Sequence, residues 1–149
     1  MIFMSAGKKL VVLIPAFNEG KKIASVIAAV PRRLEGIAKV SVLVVNDGSS
    51  DSTVAKARQA KADRIVSHET NRGLGVAFQT GIEEALAMGA DIIVNIDADG
   101  QFNPGDIPKL IKPILDGDAD VVYGSRFLGK KHRVLYFHHY LANRFITFI

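Results

Sequence analysis

Asp97 and Asp99 stand two residues apart in the segment DADGQ, directly after an apolar run that ends at Ile96. In an extended chain their side chains would diverge, so a turn after Ile96 has to bring them together. Carboxylates held that close repel each other unless a cation lies between them. Their hard oxygens, with Gln101 as a neutral third ligand, fit Mg²⁺ or Mn²⁺ and not zinc. Such an ion could bridge a diphosphate and neutralise the charge that develops as it leaves. The bland alternative is a solvated, Asp-rich turn.

Two further segments carry polar groups at comparable places. In NDGSSD, residues 46–51, Asp47 follows a second buried run, and Gly48, Ser49 and Ser50 allow a tight turn whose amides could face a ligand. A carboxylate there could accept hydrogen bonds from a nucleobase edge or a ribose; an Asp-Gly turn with a helix cap at Asp51 is the competing reading. In PAFNE, residues 15–19, an amide and a carboxylate stand beside a helix start. Asn18 as an N-cap, with Glu19 compensating the helix dipole, accounts for these two equally well.

The elements that must position these residues follow from the apolar pattern. Runs rich in Val and Ile at residues 10–14, 40–45, 64–67, 91–96 and 120–123 predict five short buried strands, separated by four helices. Ile23, Val26, Ile27, Val30 and Leu34 form a helical stripe that Pro31 should end or bend. Ser50 or Asp51 should cap a helix reaching about Lys61, and residues 75–88 should bury Phe78, Ile82, Ala85 and Leu86 before a stop at Gly89. Asn103, Pro104 and Asp106 open a last helix carrying Ile107, Leu110, Ile111 and Ile114, with Pro113 expected to kink it. The expected class is α/β, a Rossmann-like, mostly parallel sheet with helices on both faces. In such sheets ligands bind beyond the carboxyl ends of the strands, where all three polar segments fall.

Composition narrows the classes. The 149 residues, 48% hydrophobic and 23% charged, suit one globular core. No cysteine is present, which excludes disulfides, thiolate zinc sites and cysteine nucleophiles. The N-terminal apolar run is too short for a signal peptide and no run approaches a membrane span, so a cytoplasmic chain is expected. Residues 1–120 hold 14 Lys/Arg against all 15 Asp/Glu, whereas residues 121–149 hold five Lys/Arg and no acid. That tail also contains seven of the eleven aromatics, and an interleaved basic and aromatic surface suits an anionic partner such as a membrane face.

PAFNE, NDGSSD and DADGQ in this order and spacing resemble the family 2 group of GT-A glycosyltransferases. Within it the chain is most similar to polyprenyl-phosphate sugar transferases of the dolichyl-phosphate mannose synthase kind. HETNRGLGVAF, residues 68–78, and GSRF, residues 124–127, match at the corresponding places. The resemblance implies a GT-A fold and a nucleotide site of Pro15, Phe17, Asn18, Glu19, Asn46, Asp47, Gly73, Gly75, Asp97 and Ala98, with Arg72 lining the same cleft. It implies Mg²⁺ or Mn²⁺ on Asp97, Asp99 and Gln101, phosphate contact from Arg126, and an inverting transfer from a UDP- or GDP-sugar to a polyprenyl phosphate. Nucleic acid is not an expected partner.

Residues 1–133 are expected to form the nucleotide-sugar-binding domain and residues 134–149 the start of an amphipathic helix, with Val134, Phe137, Leu141, Phe145 and Phe148 at helical spacing. That pattern runs to Ile149 without a cap, which invites self-association. No acid follows Asp120, so the family's catalytic carboxylate is expected beyond Ile149, and a nucleotide-sugar-binding fragment without turnover is the alternative function. His138 and His139 stand where relatives commonly have arginines. Four histidines without cysteine or HxxH spacing point to surface or packing roles. GSRFLGKK lacks the hydroxyl a phosphate-loop Mg²⁺ site needs, and GLGVAF lacks the third glycine of a dinucleotide fingerprint.

Overall fold

The computed structural model describes residues 7–124; the expectations for Arg126, His138, His139 and the helix at 134–149 lie outside them. Four strands form one parallel sheet in the order β3-β2-β1-β4: β1 (Lys8–Ala16), β2 (Ile37–Asp47), β3 (Arg64–His68) and β4 (Ile92–Asn95). Between them run α1 (Ile23–Ala29), α2 (Thr53–Gln59) and α3 (Leu74–Ala87), and a single 3₁₀ turn, Pro104–Asp106, leads into α4 (Ile107–Leu115).

The central strands are buried on both faces, which is why they read as unbroken apolar runs. Leu10, Val12 and Ile14 of β1 and Val40, Val42 and Val44 of β2 pack against Ile23, Val26 and Ile27 of α1, Ala57 of α2 and Ile107 and Ile111 of α4. The alternate residues, Val11, Leu13, Leu43 and Val45, pack against Ala77 and Ala85 of α3. The chain steps outward from β1 to β3 and then returns to β4, so a crossover of constant hand has to bring α3 back on the opposite face. Each fully buried Leu, Ile or Val contributes about 1.5–3 kcal/mol to holding these layers together.

Several boundaries differ from those expected. α1 ends at Ala29 because Val30, ahead of Pro31, takes an extended conformation (φ −67°, ψ 122°), leaving Leu34 to pack from outside the helix. α3 turns Ala77, Gly81 and Ala85 to the sheet, whereas Phe78 and Leu86 are exposed. Small residues let the helix backbone approach β1: a Cβ on Gly81 would lie 2.2 Å from Leu13 Cδ1. Gly89, with φ 77°, ends the helical segment as expected. Residues 120–123 are not a strand; they join no described sheet, and Val121 and Tyr123 are exposed. Strand propensity yields a strand only where a partner supplies the ladder.

Candidate functional site

All four strands are parallel, so the loops after β1, β2, β3 and β4 leave from one edge of the sheet. β1 and β2 run further than their apolar cores: Pro15 pairs with Val45, Ala16 with Asn46, and Asp47 with His68. Pro15, Asn46 and Asp47 are therefore buried strand residues at the rim and not loop residues. Phe17, by contrast, is 47% exposed immediately beyond β1.

The first two loops are stitched together. The Asn18 amide donates to Ser49 Oγ at 2.9 Å, and the Ser50 amide donates to Asn18 Oδ1 at 3.0 Å. The Glu19 amide donates to Thr53 Oγ1, and the Gly20 amide to Asp51 Oδ2. Asn18 thus braces the neighbouring loop from a left-handed conformation (φ 54°) and does not cap α1, whose N-cap is Lys22 without a side-chain bond. Asp51 likewise precedes the N-cap Ser52; its Oδ1 accepts the Thr53 amide and hydroxyl while Oδ2 reaches the first loop. Asn46 is occupied too: Oδ1 accepts from the Ser49 amide, and Nδ2 donates to Ser67 Oγ at 3.3 Å.

Asp47 organises the third loop. Its Oδ1 accepts from His68 Nδ1 at 2.7 Å and from the Arg72 amide at 2.9 Å, and its Oδ2 accepts from the Gly73 amide at 2.9 Å. Burial pushes this carboxyl up, but the hydrogen bond from His68, those from the two amides and the charge of His68 outweigh it, leaving the group below its ordinary range. Three of roughly four lone-pair positions are filled, so a ligand could be accepted only through what remains on Oδ2. Gly48, at φ 71°, lies so close to the third loop that a Cβ would sit 2.3 Å from the Thr70 carbonyl carbon. Gly73 (φ 90°) and Gly75 have nothing within 4 Å of their Cβ positions, so the chain presents bare backbone there.

The fourth loop leaves β4 on the other side of β1 from Asp47, a separation of about two strand spacings, roughly 10 Å. Ala98 is buried, Asp97 and Asp99 are half-buried, and Gln101 is exposed. The expected turn is present: residues 98–100 reverse the chain, Gly100 has φ 72°, and Asp99 Oδ1 accepts the Gln101 amide at 2.9 Å. Among the described residues no group of three or more His, Cys, Asp or Glu is placed to hold a metal. Carboxylate and amide oxygens are nonetheless the hard donors that Mg²⁺ and Mn²⁺ take, and these ions need few protein ligands because water and substrate phosphate complete their shell.

The model of the family described as "Glycosyl transferase family 2" matches residues 11–149. The chain belongs to this family. It is 34% identical to the UDP-N-acetylglucosamine–dolichyl-phosphate N-acetylglucosaminyltransferase of Methanococcus voltae, over 85% of this chain and 55% of that protein. It is also 34% identical to the polyprenol monophosphomannose synthase of Mycolicibacterium smegmatis, over 81% of this chain and 46% of that protein. The chain therefore spans about half the length of these family 2 relatives. Among solved structures, the glucosyl-3-phosphoglycerate synthase of Mycobacterium tuberculosis, crystallised with Mn²⁺, UDP and glucosyl-3-phosphoglycerate, superposes with a TM-score of 0.60 at 31% identity, over 74% of this chain and 40% of that one. The fold is GT-A, as the resemblance implied.

His68, bonded to Asp47, and Thr80, bonded to His68, lie beside this rim and are residues that sequence reasoning did not single out. A histidine at the last position of a strand whose neighbour ends in Asp was the available signal for the first of them.

Proposed function

We propose that this chain forms the donor-binding part of a polyprenyl-phosphate sugar transferase, gripping a UDP- or GDP-sugar at the carboxyl edge of its sheet. The observation that carries this is the convergence on one edge of the PAFNE, NDGSSD and DADGQ loops, in a chain whose relatives are named for transfer to dolichyl phosphate. Pro15, Phe17, Asn18, Glu19, Asn46 and Asp47 form the rim on the β1 and β2 side, where the base and ribose would lie. Gly73 and Gly75 offer open backbone beside it, and Ala98 lines the fourth loop.

Asp97, Asp99 and Gln101 would hold Mg²⁺ or Mn²⁺ on the diphosphate, and Arg126 would add a phosphate contact. The bound ion would supply electrostatic stabilisation of the leaving diphosphate. Transfer would invert the anomeric centre by direct displacement. A phosphate acceptor is already anionic near neutral pH, so it needs a strong general base less than a sugar hydroxyl does. The basic, aromatic residues 126–149 would draw such a head group, at a membrane face, toward the donor.

Calorimetric titration with UDP and GDP, with and without Mn²⁺, beside a sugar-transfer assay, tests this reading. Metal-dependent binding of either nucleotide is expected, and Asp99→Ala should abolish it while shifting stability by no more than about 1 kcal/mol, the worth of one loop hydrogen bond. Unchanged nucleotide affinity in Asp99→Ala overturns the metal assignment.

A further inference from the structure

Side-chain alternation places Asp47 on the same face of β2 as Leu43 and Val45, and His68 on the same face of β3 as Val66; this is the face that α3 covers. There His68 is held at both ring nitrogens, by Asp47 at Nδ1 and by Thr80 Oγ1 of α3 at Nε2, 3.0 Å away. The side chains of His68 and Asp47 are only 7% and 5% exposed. A carboxylate kept ionised can only accept, so Nδ1 carries a proton toward Asp47, while Nε2 is bonded to the Thr80 hydroxyl.

The segment from His68 to Gly73 begins and ends on one carboxylate, which takes the His68 ring at one end and the Arg72 and Gly73 amides at the other. The two amides hold one oxygen each, and a third donor, from a ring that is itself anchored at its far nitrogen by Thr80, braces the carboxylate from the side opposite the loop's backbone. We propose that His68 is a positioning residue of the nucleotide site: by orienting the Asp47 carboxylate it clasps Arg72 and Gly73 and so fixes where residues 71–75 present their backbone. This rests on reading that edge as the donor site.

His68→Asn and His68→Gln separate positioning from packing. Both keep an amide donor, but Asn holds its N–H near the place of Nδ1, whereas Gln extends it toward Nε2 and Thr80. The first readout is hydrogen exchange of the Arg72 and Gly73 amides in the full 149-residue chain without nucleotide, relative to the core amide of Val44. Protection comparable to wild type in His68→Asn, and at least about tenfold less in His68→Gln, is expected from losing one charge-assisted hydrogen bond. Equal protection in the two variants, or unprotected amides in the wild type, overturns the clasp. The second readout is affinity for UDP with Mn²⁺, expected to follow the same order with a loss of about tenfold in His68→Gln. Intact binding in both variants despite a loosened segment would remove the link to the site. Failure of the wild type to bind UDP or GDP would strike the proposed function itself, while the exchange readout would still decide the clasp.

Discussion

Gly48 offers the sharpest test of how the rim is built. Two separate penalties follow from replacing it with alanine. Its φ of 71° is left-handed, which costs an L-residue about 1–2 kcal/mol. The new Cβ would also sit 2.3 Å from the Thr70 carbonyl carbon and 2.4 Å from the Asn71 amide nitrogen. Both are backbone atoms, which cannot swing aside as a side chain can, so about 1–3 kcal/mol of overpacking is added. The third loop could yield instead, but then the two amide bonds to Asp47 break, each worth about 1.5–3 kcal/mol. The first route costs roughly 2–5 kcal/mol and the second, which keeps the backbone penalty, about 4–8, so Gly48→Ala should lose roughly 2–5 kcal/mol by the cheaper one, a large share of the 5–15 kcal/mol typical of a domain. Gly117→Ala is the control: it shares the positive φ, at 79°, but has no atom within 4 Å of its Cβ position. Urea denaturation of both variants beside the wild type isolates the steric contribution as their difference. Equal destabilisation of the two would refute the close approach of the second and third loops.

Gly81→Ala should destabilise by about 1–3 kcal/mol through contact with Leu13, less the roughly 1 kcal/mol an alanine gains over glycine in a helix; a raised urea midpoint would contradict the close packing of α3 on β1. Asp47 has a folded pKa below its ordinary 3.8, so its stabilisation is complete above the unfolded value and drains away as pH falls through the lower folded one. Asp47→Asn should therefore narrow the stability gap to wild type below about pH 4 in denaturation titrations, and a gap independent of acid would exclude the ionised clasp. The chain should sediment with vesicles containing anionic lipid more than with neutral ones, through the five basic residues of 121–149. Equal sedimentation with both would remove the membrane-face role.

The parts of this fold that sequence reasoning reached share one physical cause, burial on both faces. Val and Ile runs mark β1, β2 and β4 because a parallel sheet covered twice needs apolar residues at every position, not at alternate ones. The same reasoning stopped too early at the strand ends, since Asn46 and Asp47 interrupt the apolar run while the ladder continues through them to Ser67 and His68. On α3 the expectation was half met: Ala85 is buried and Ile82 packs against the core, whereas Phe78 and Leu86 are exposed. Bulk favoured Phe78 and Leu86, but a helix lying close on a strand needs small residues, which Ala77, Gly81 and Ala85 supply. A fifth strand at 120–123 was expected from β propensity alone, which carries no information about a partner.

The site divides along a similar line. That carboxylates would gather at the carboxyl ends of strands follows from topology and was legible in the order of the three motifs. The bonds among them were not, because Asn18 with Ser50, Gly20 with Asp51, and Asp47 with Arg72 are separated by 25 to 32 positions and leave no periodic trace. Those bonds change what the rim can do. Asn46 and Asp47 spend most of their polar capacity on the protein itself, so on the proposed function they act chiefly by holding a preformed surface. Base and ribose recognition then falls to exposed Phe17, half-buried Glu19 and the backbone around Gly73. A rim braced before ligand arrives loses little conformational freedom on binding, which raises affinity without adding a contact. It follows that substitutions at Asn18 or Asp51 should weaken nucleotide binding even if neither side chain touches the nucleotide, because each ties the first loop to the second.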